Sequence, residues 1–162
     1  MTGTYTCETP DDTFALGENI GAQLRPGDVL LLRGGLGAGK TLLTKGILNA
    51  LDFDIDEVTS PSFTLVNLYR TPTVDVYHID LWRLDENSDV ASAVGLEEIV
   101  AGENNVAIIE WSEKLRSFSH PGRIIEISIT GDGDDPRTID VAMPQAETRP
   151  LGSVSKLADR DR

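Results

Sequence analysis

Residues 33–43 read RGGLGAGKTLL and follow directly on the apolar run VLLL. From Gly34 to Thr41 they match the spacing G-x-x-x-x-G-K-[ST] at every fixed position. No other stretch of the chain restricts its fold as strongly. Such a loop has to wrap until successive backbone N–H groups point inward at phosphate oxygens. Glycine permits those backbone angles and lets a ligand come close. A buried strand before the loop and a helix after it hold it in place, and the helix N-terminus adds its positive dipole end. VLLLRG reads as that strand, apolar enough to be buried on both faces. KTLLTKGILNAL reads as that helix. Lys40 would reach the β- and γ-phosphates of a nucleotide, and the Thr41 hydroxyl would ligate Mg2+.

The rest of the chain alternates strands and helices. TPDDTFALGENIGAQL predicts a first helix, with Thr9 at the N-cap, Pro10 at the first helical position and Asp12 at the capping-box spacing. Leu16, Ile20 and Leu24 recur every fourth residue as its apolar face. FTLVNLY and TVDVYHIDL, rich in β-branched and aromatic residues, read as strands. ASAVGLEEIVAG predicts one helix, or two short ones broken at Gly95, and NVAIIEW a further buried strand. RIIEISI and RTIDVAM alternate apolar and polar residues around TGDGDDP, which predicts a hairpin and so antiparallel strands at one edge. Together these predict an α/β fold with a parallel central sheet, in a single domain over residues 1–143. From Pro144 the chain turns polar, and residues 144–162 read as a mobile tail with at most one helical turn.

Composition narrows the function. A chain of 162 residues can bury a real core in one domain. Its formal net charge of −13 argues against direct, tight binding to nucleic acid, whose phosphates attract Lys and Arg and repel carboxylates. The same charge suits a soluble acidic surface, or steering toward a basic partner. Cys7 is the only cysteine, so no intramolecular disulfide can form, which suits a reducing cytosol. It stands near a terminus expected to be mobile and is given no role. No apolar run approaches the ~20 residues that cross a bilayer. MTGTYTCETPDD lacks the basic flank and apolar centre of a secretory signal.

A phosphate loop needs an acid at the end of a buried strand to hold the Mg2+ shell. Two stretches supply one: NVAIIE ends in Glu110 and VDVYHID ends in Asp80. Ligands of open α/β sheets sit at the carboxyl ends of the strands, so both acids are placed to converge on a metal. The hydroxyl-rich segment Ser60 to Val66 is a candidate for touching the γ-phosphate or its attacking water. His78 reads as a structural histidine. Trp111, on pattern alone, reads as packing. There is no N-K-x-D to support guanine specificity, no arginine-rich lid and no LSGGQ-like segment.

Four stretches, GGLGAGKTLLTKG, SPSFTLVNLY, YHIDLWRL and IIEW, occur in an order and spacing by which the chain resembles the TsaE family, formerly YjeE. These are bacterial P-loop ATPases needed for threonylcarbamoyladenosine modification of tRNA. The resemblance runs from Thr9 to Val141 and leaves the tail uncovered. Gly35 stands where the family usually has an acid, Leu42 and Ser62 replace threonines, and Trp82 replaces a tyrosine.

The resemblance implies a P-loop NTPase fold: a mostly parallel central sheet flanked by antiparallel strands and packed between helices. It implies Mg2+-dependent ATP binding and weak hydrolysis that resets a complex of TsaB and TsaD, which move threonylcarbamoyl from its adenylate to tRNA. It makes tRNA an indirect partner, with no membrane or DNA involved and a cytoplasmic location. Carried over by position, Lys40, Asp80, Glu110 and Trp111 would be catalytic, and Thr41, Glu110 and Asp80 would serve the metal. Thr9, Gly35, Leu36, Gly37, Ala38, Gly39, Lys40, Thr41, Leu42 and Arg137 would bind the nucleotide. A nucleotide-gated binding module without hydrolysis and a small-molecule kinase remain the alternatives.

Overall fold

The computed structural model describes residues 1–85 and 87–144. In chain order they form β1 (Gly3–Cys7), α1 (Pro10–Gly21), β2 (Val29–Arg33), α2 (Lys40–Ala50), β3 (Val66–Arg70), β4 (Asp75–Asp80), α3 (Val90–Ala93), α4 (Leu96–Ala101), β5 (Asn105–Glu110), β6 (Ile124–Thr130) and β7 (Arg137–Ala142). Strand order in the sheet is β1-β7-β6-β2-β5-β4-β3. The four inner strands β6, β2, β5 and β4 run parallel. β3 pairs antiparallel at one edge, and β7 then β1 pair antiparallel at the other.

The apolar VLLL run lies in β2, between two parallel neighbours, with Val29 to Leu32 all buried. Strand alternation divides it between two cores. Leu30 and Leu32 pack with Leu16 and Ile20 of α1 and with Leu43 and Ile47 of α2. Val29 and Leu31 pack with Val90, Leu96 and Ile99 on the opposite face. α1 and α2 approach closely because glycines face each other. A Cβ on Gly17 would strike the Leu43 carbonyl, and one on Gly46 would strike the Phe14 carbonyl. This contact fixes α2, and so the Lys40 end of the phosphate loop, against the sheet.

α1 starts as expected. The Thr9 side chain accepts from Asp12 N–H at 3.2 Å, and Asp12 accepts from Thr9 N–H at 2.9 Å. The segment around Gly95 breaks into α3 and α4, with Gly95 at a φ of 67°. The C-terminal hairpin gives the expected antiparallel strands at one edge, with β6 also joining the parallel core and β1 adding outside β7. Two expectations change. The N-terminus is ordered as β1, and Cys7 is buried in the core. FTLVNLY starts its strand only at Val66, because Leu65 takes a left-handed φ of 66° and turns the chain first. The tail expected over residues 144–162 lies, Pro144 aside, outside the described residues.

Candidate functional site

The loop between β2 and α2 wraps as its glycines allow. Gly37 and Gly39 have φ of 74° and 110°, in the left-handed region where a side chain is strained. The Lys40 side chain folds back along this loop. Its Nζ donates to the carbonyls of Gly34 at 2.7 Å and Gly35 at 2.9 Å. The ammonium also sits 5.0 Å from the centroid of the Trp111 ring. A cation over an indole face is attracted by the ring quadrupole, more so where water is displaced, and Lys40 is buried.

Two carboxylates face this lysine across one cavity of about 390 Å3. Asp80 ends β4 and Glu110 ends β5, and the parallel register makes them partners. Both are buried. They share the cavity lining with Thr41, Ser60, Ser62, Trp82 and Trp111. Asp80 Oδ1 accepts from the Trp82 N–H at 2.9 Å, and its Oδ2 lies 3.4 Å from the Ser62 hydroxyl. Glu110 Oε1 lies 3.1 Å from Nε2 of the fully buried His78.

Trp111 reaches the site through an unusual backbone. It follows β5 with a φ of 58°, a conformation that costs about 1–3 kcal/mol for a non-glycine residue. The turn lays its indole against Trp82, with ring centroids 4.4 Å apart. Lys114 closes the stack from outside, 5.6 Å over the Trp82 ring, and donates to the carbonyls of Trp82 and Leu84. Leu36 stands exposed at the cavity's edge, and beyond the cavity Phe63 is exposed with the Arg83 guanidinium 4.3 Å over its ring.

A second, smaller cavity of about 140 Å3 opens on the other side of the phosphate loop, between Thr9, Thr13, Gly39, Leu42, Asp134 and Arg137. Arg137 braces the loop from this side. Its guanidinium donates to Ala38 O at 2.9 Å and Gly37 O at 3.3 Å, and to Gly133 O and Asp135 O of the β6–β7 turn.

The family profile described as "Threonylcarbamoyl adenosine biosynthesis protein TsaE" matches residues 7–139, the span that builds both cavities. The chain belongs to the TsaE family. A TsaE protein of Bacillus subtilis (strain 168) is 36% identical over 130 residues, which cover 80% of this chain and 78% of that one. A TsaE protein of Mycobacterium tuberculosis (strain ATCC 25618 / H37Rv) is 41% identical over 119 residues, 70% of each chain. Both are named as tRNA threonylcarbamoyladenosine biosynthesis proteins. The crystal structure of Bacillus subtilis YdiB matches with a TM-score of 0.64 at 29% identity, covering 89% of this chain and 87% of that one. The fold is that of P-loop NTPases.

Within this TsaE chain the expected site residues fall into two groups. Leu36 to Leu42, Asp80, Glu110 and Trp111 line the larger cavity. Thr9 and Arg137 line the smaller one, which shares Ala38, Gly39 and Leu42 with it. Gly35 lines neither; its carbonyl receives Lys40. Trp111, which pattern alone assigned to packing, is a wall of the site. His78, set aside as structural, touches Glu110. The signal for His78 was its position two residues before Asp80, which strand alternation places on the same face. Ser62 and Trp82 approach Asp80 through turns whose geometry no local pattern encodes.

Proposed function

We propose that this TsaE protein binds Mg2+–ATP in the larger cavity, hydrolyses it slowly alone, and in doing so supports TsaB and TsaD in threonylcarbamoyladenosine modification of tRNA. The observation that carries the reading is the meeting of Lys40, Thr41, Asp80 and Glu110 around one cavity at the phosphate loop. Their chemistry suits Mg2+. The donors are hard oxygens, and no cluster of three His, Cys, Asp or Glu that could hold a metal by itself occurs among the described residues. Mg2+ is typically held by one or two carboxylates together with substrate phosphates and water. Thr41, Glu110 and Asp80 would hold it, and the ion would neutralise charge on the phosphate oxygens.

The chain's own groups divide the remaining work. Loop N–H groups and the start of α2 cradle the phosphates. Lys40, already buried and aligned by two carbonyls, carries the positive charge. Asp80, with Ser62 beside it, orients the attacking water. Trp111 covers Lys40 and excludes solvent. Thr9 and Arg137 contact the nucleoside side of the ligand in the smaller cavity.

The lining of the larger cavity supports slow turnover. Among the described residues, no arginine lines the larger cavity, where Lys40 is the only cation. A cation supplied in trans raises phosphoryl-transfer rates by ~10³–10⁵. The acidic chain leaves the tRNA phosphates to its partners, and a cytoplasmic location follows from that substrate. Phosphate release measured with and without TsaB–TsaD tests the reading. Slow release that the pair stimulates is expected. Fast release that the pair leaves unchanged favours an independent ATPase. Transfer of labelled γ-phosphate to a metabolite instead of water favours a kinase.

A further inference from the structure

His78 touches Glu110, a lining residue of the larger cavity, and has no task in the reading above. It is fully buried. The parallel register sets His78 opposite Ile108 and Asp80 opposite Glu110, so the imidazole lies diagonally behind the Glu110 carboxylate. Nε2 is 3.1 Å from Glu110 Oε1. A carboxylate only accepts, so Nε2 carries the proton and donates it. Nδ1 is buried with no hydrogen-bond partner among the described residues. Tyr69 leans on the ring, with centroids 6.3 Å apart and planes at 40°. The Tyr69 hydroxyl is itself pinned between the Thr59 N–H at 3.2 Å and the Thr59 carbonyl at 2.9 Å. Packing therefore fixes the imidazole, and its one engaged nitrogen is aimed at a single oxygen.

We infer that His78 is a positioning residue: its Nε2–H holds Glu110 Oε1, sets the carboxylate rotamer and leaves Oε2 for the Mg2+–nucleotide. The inference rests on the reading in which Glu110 serves the metal. A carboxylate at a strand end otherwise samples several rotamers, and binding has to freeze it. A donor already in place removes that cost. Packing alone does not account for histidine here. A leucine would fill the space without a buried unpaired nitrogen, which opposes folding. Hydrogen-bond partners of metal ligands typically hold about 10–100-fold of metal affinity.

The test compares the full chain with His78→Leu, His78→Gln and Glu110→Gln. N-methylanthraniloyl-ADP affinity is titrated in EDTA and in Mg2+, and thermal unfolding is followed alongside. The readout is the gain in affinity that Mg2+ confers. His78→Leu should keep the Mg2+-free affinity and lose about tenfold or more of the gain. His78→Gln, whose amide N–H can stand in for Nε2–H, should recover most of it. If His78→Leu keeps the gain while Glu110→Gln loses it, the positioning role fails and the role of Glu110 stands. If Glu110→Gln also keeps the gain, the metal reading of Glu110 fails and takes this inference with it. If His78→Leu weakens both affinities equally, or unfolds, and His78→Gln gives no rescue, the histidine only supports the fold.

Discussion

Asp80 and Glu110 are register partners at the carboxyl ends of adjacent parallel strands, yet their oxygens are engaged by different neighbours. Asp80 is held by the Trp82 N–H and approached by Ser62, whereas Glu110 is held by His78. The two acids therefore fail differently when removed. Glu110→Ala should weaken Mg2+-dependent nucleotide binding. Asp80→Ala should cut hydrolysis more than binding, slowing the single-turnover rate by the ~10²–10⁴-fold usual for a positioned acid–base group. ATP affinity and single-turnover rates for both variants check this. Near-wild-type, partner-stimulated hydrolysis in both would reduce the two carboxylates to strand ends.

Arg137 grips the phosphate loop from behind through the carbonyls of Gly37 and Ala38. Arg137→Ala should lower nucleotide affinity by about tenfold, the effect of one charge-assisted hydrogen bond of ~1.5 kcal/mol. Arg137→Lys should not restore it, because an ammonium cannot reproduce a fork that spans carbonyls of both the loop and the β6–β7 turn. Nucleotide titration with a parallel melting curve separates loop bracing from loss of fold. Full affinity in Arg137→Ala would remove the arginine from the site.

The capping box of α1 adds a pH-dependent term to stability. Hydrogen bonding from the Thr9 backbone, and then from its side chain, holds the Asp12 carboxyl below its usual range. A depressed folded pKa contributes stability above the unfolded value of ~3.9 and loses it as pH falls through the folded value. Asp12→Ala should therefore lower the melting temperature at neutral pH, and the difference from wild type should shrink as the pH falls below the ordinary carboxylate range. A difference that persists unchanged in acid would mean the carboxylate's charge is not what stabilises the helix start.

Local features of this protein were legible before the fold was known. The phosphate loop, its flanking strand and helix, the Thr9 cap and the Gly95 break are each set within a dozen residues of chain. Asp80 and Glu110 were legible because an apolar run delivers each to a strand end. What stayed hidden depends on pairing at a distance. GTYTC is mostly polar, and becomes a strand only because β7, far along the chain, offers it an edge, with Gly3 opposite Val141. The contact of His78 with Glu110 exists only in the one register of β4 on β5 that places them diagonally. Trp111 enters the site through a left-handed turn that a tryptophan does not advertise. Arg137 was assigned by family likeness alone, and its grip on the loop appears only once the β6–β7 hairpin folds beside it.

The central claim is that ATP held by this chain drives repeated tRNA modification. The most direct measurement is multiple-turnover threonylcarbamoylation of tRNA by TsaB and TsaD, supplied with threonylcarbamoyl-adenylate and ATP. It is run without this chain, with it, and with Lys40→Ala. Losing the lysine removes a charge-assisted contact worth ~1.5–3 kcal/mol, so ATP affinity should fall tenfold or more while the fold is retained. Sustained turnover with the wild-type chain, and its loss both without the chain and with Lys40→Ala at limiting ATP, is the predicted result. Equal modification in all three reactions would contradict the account.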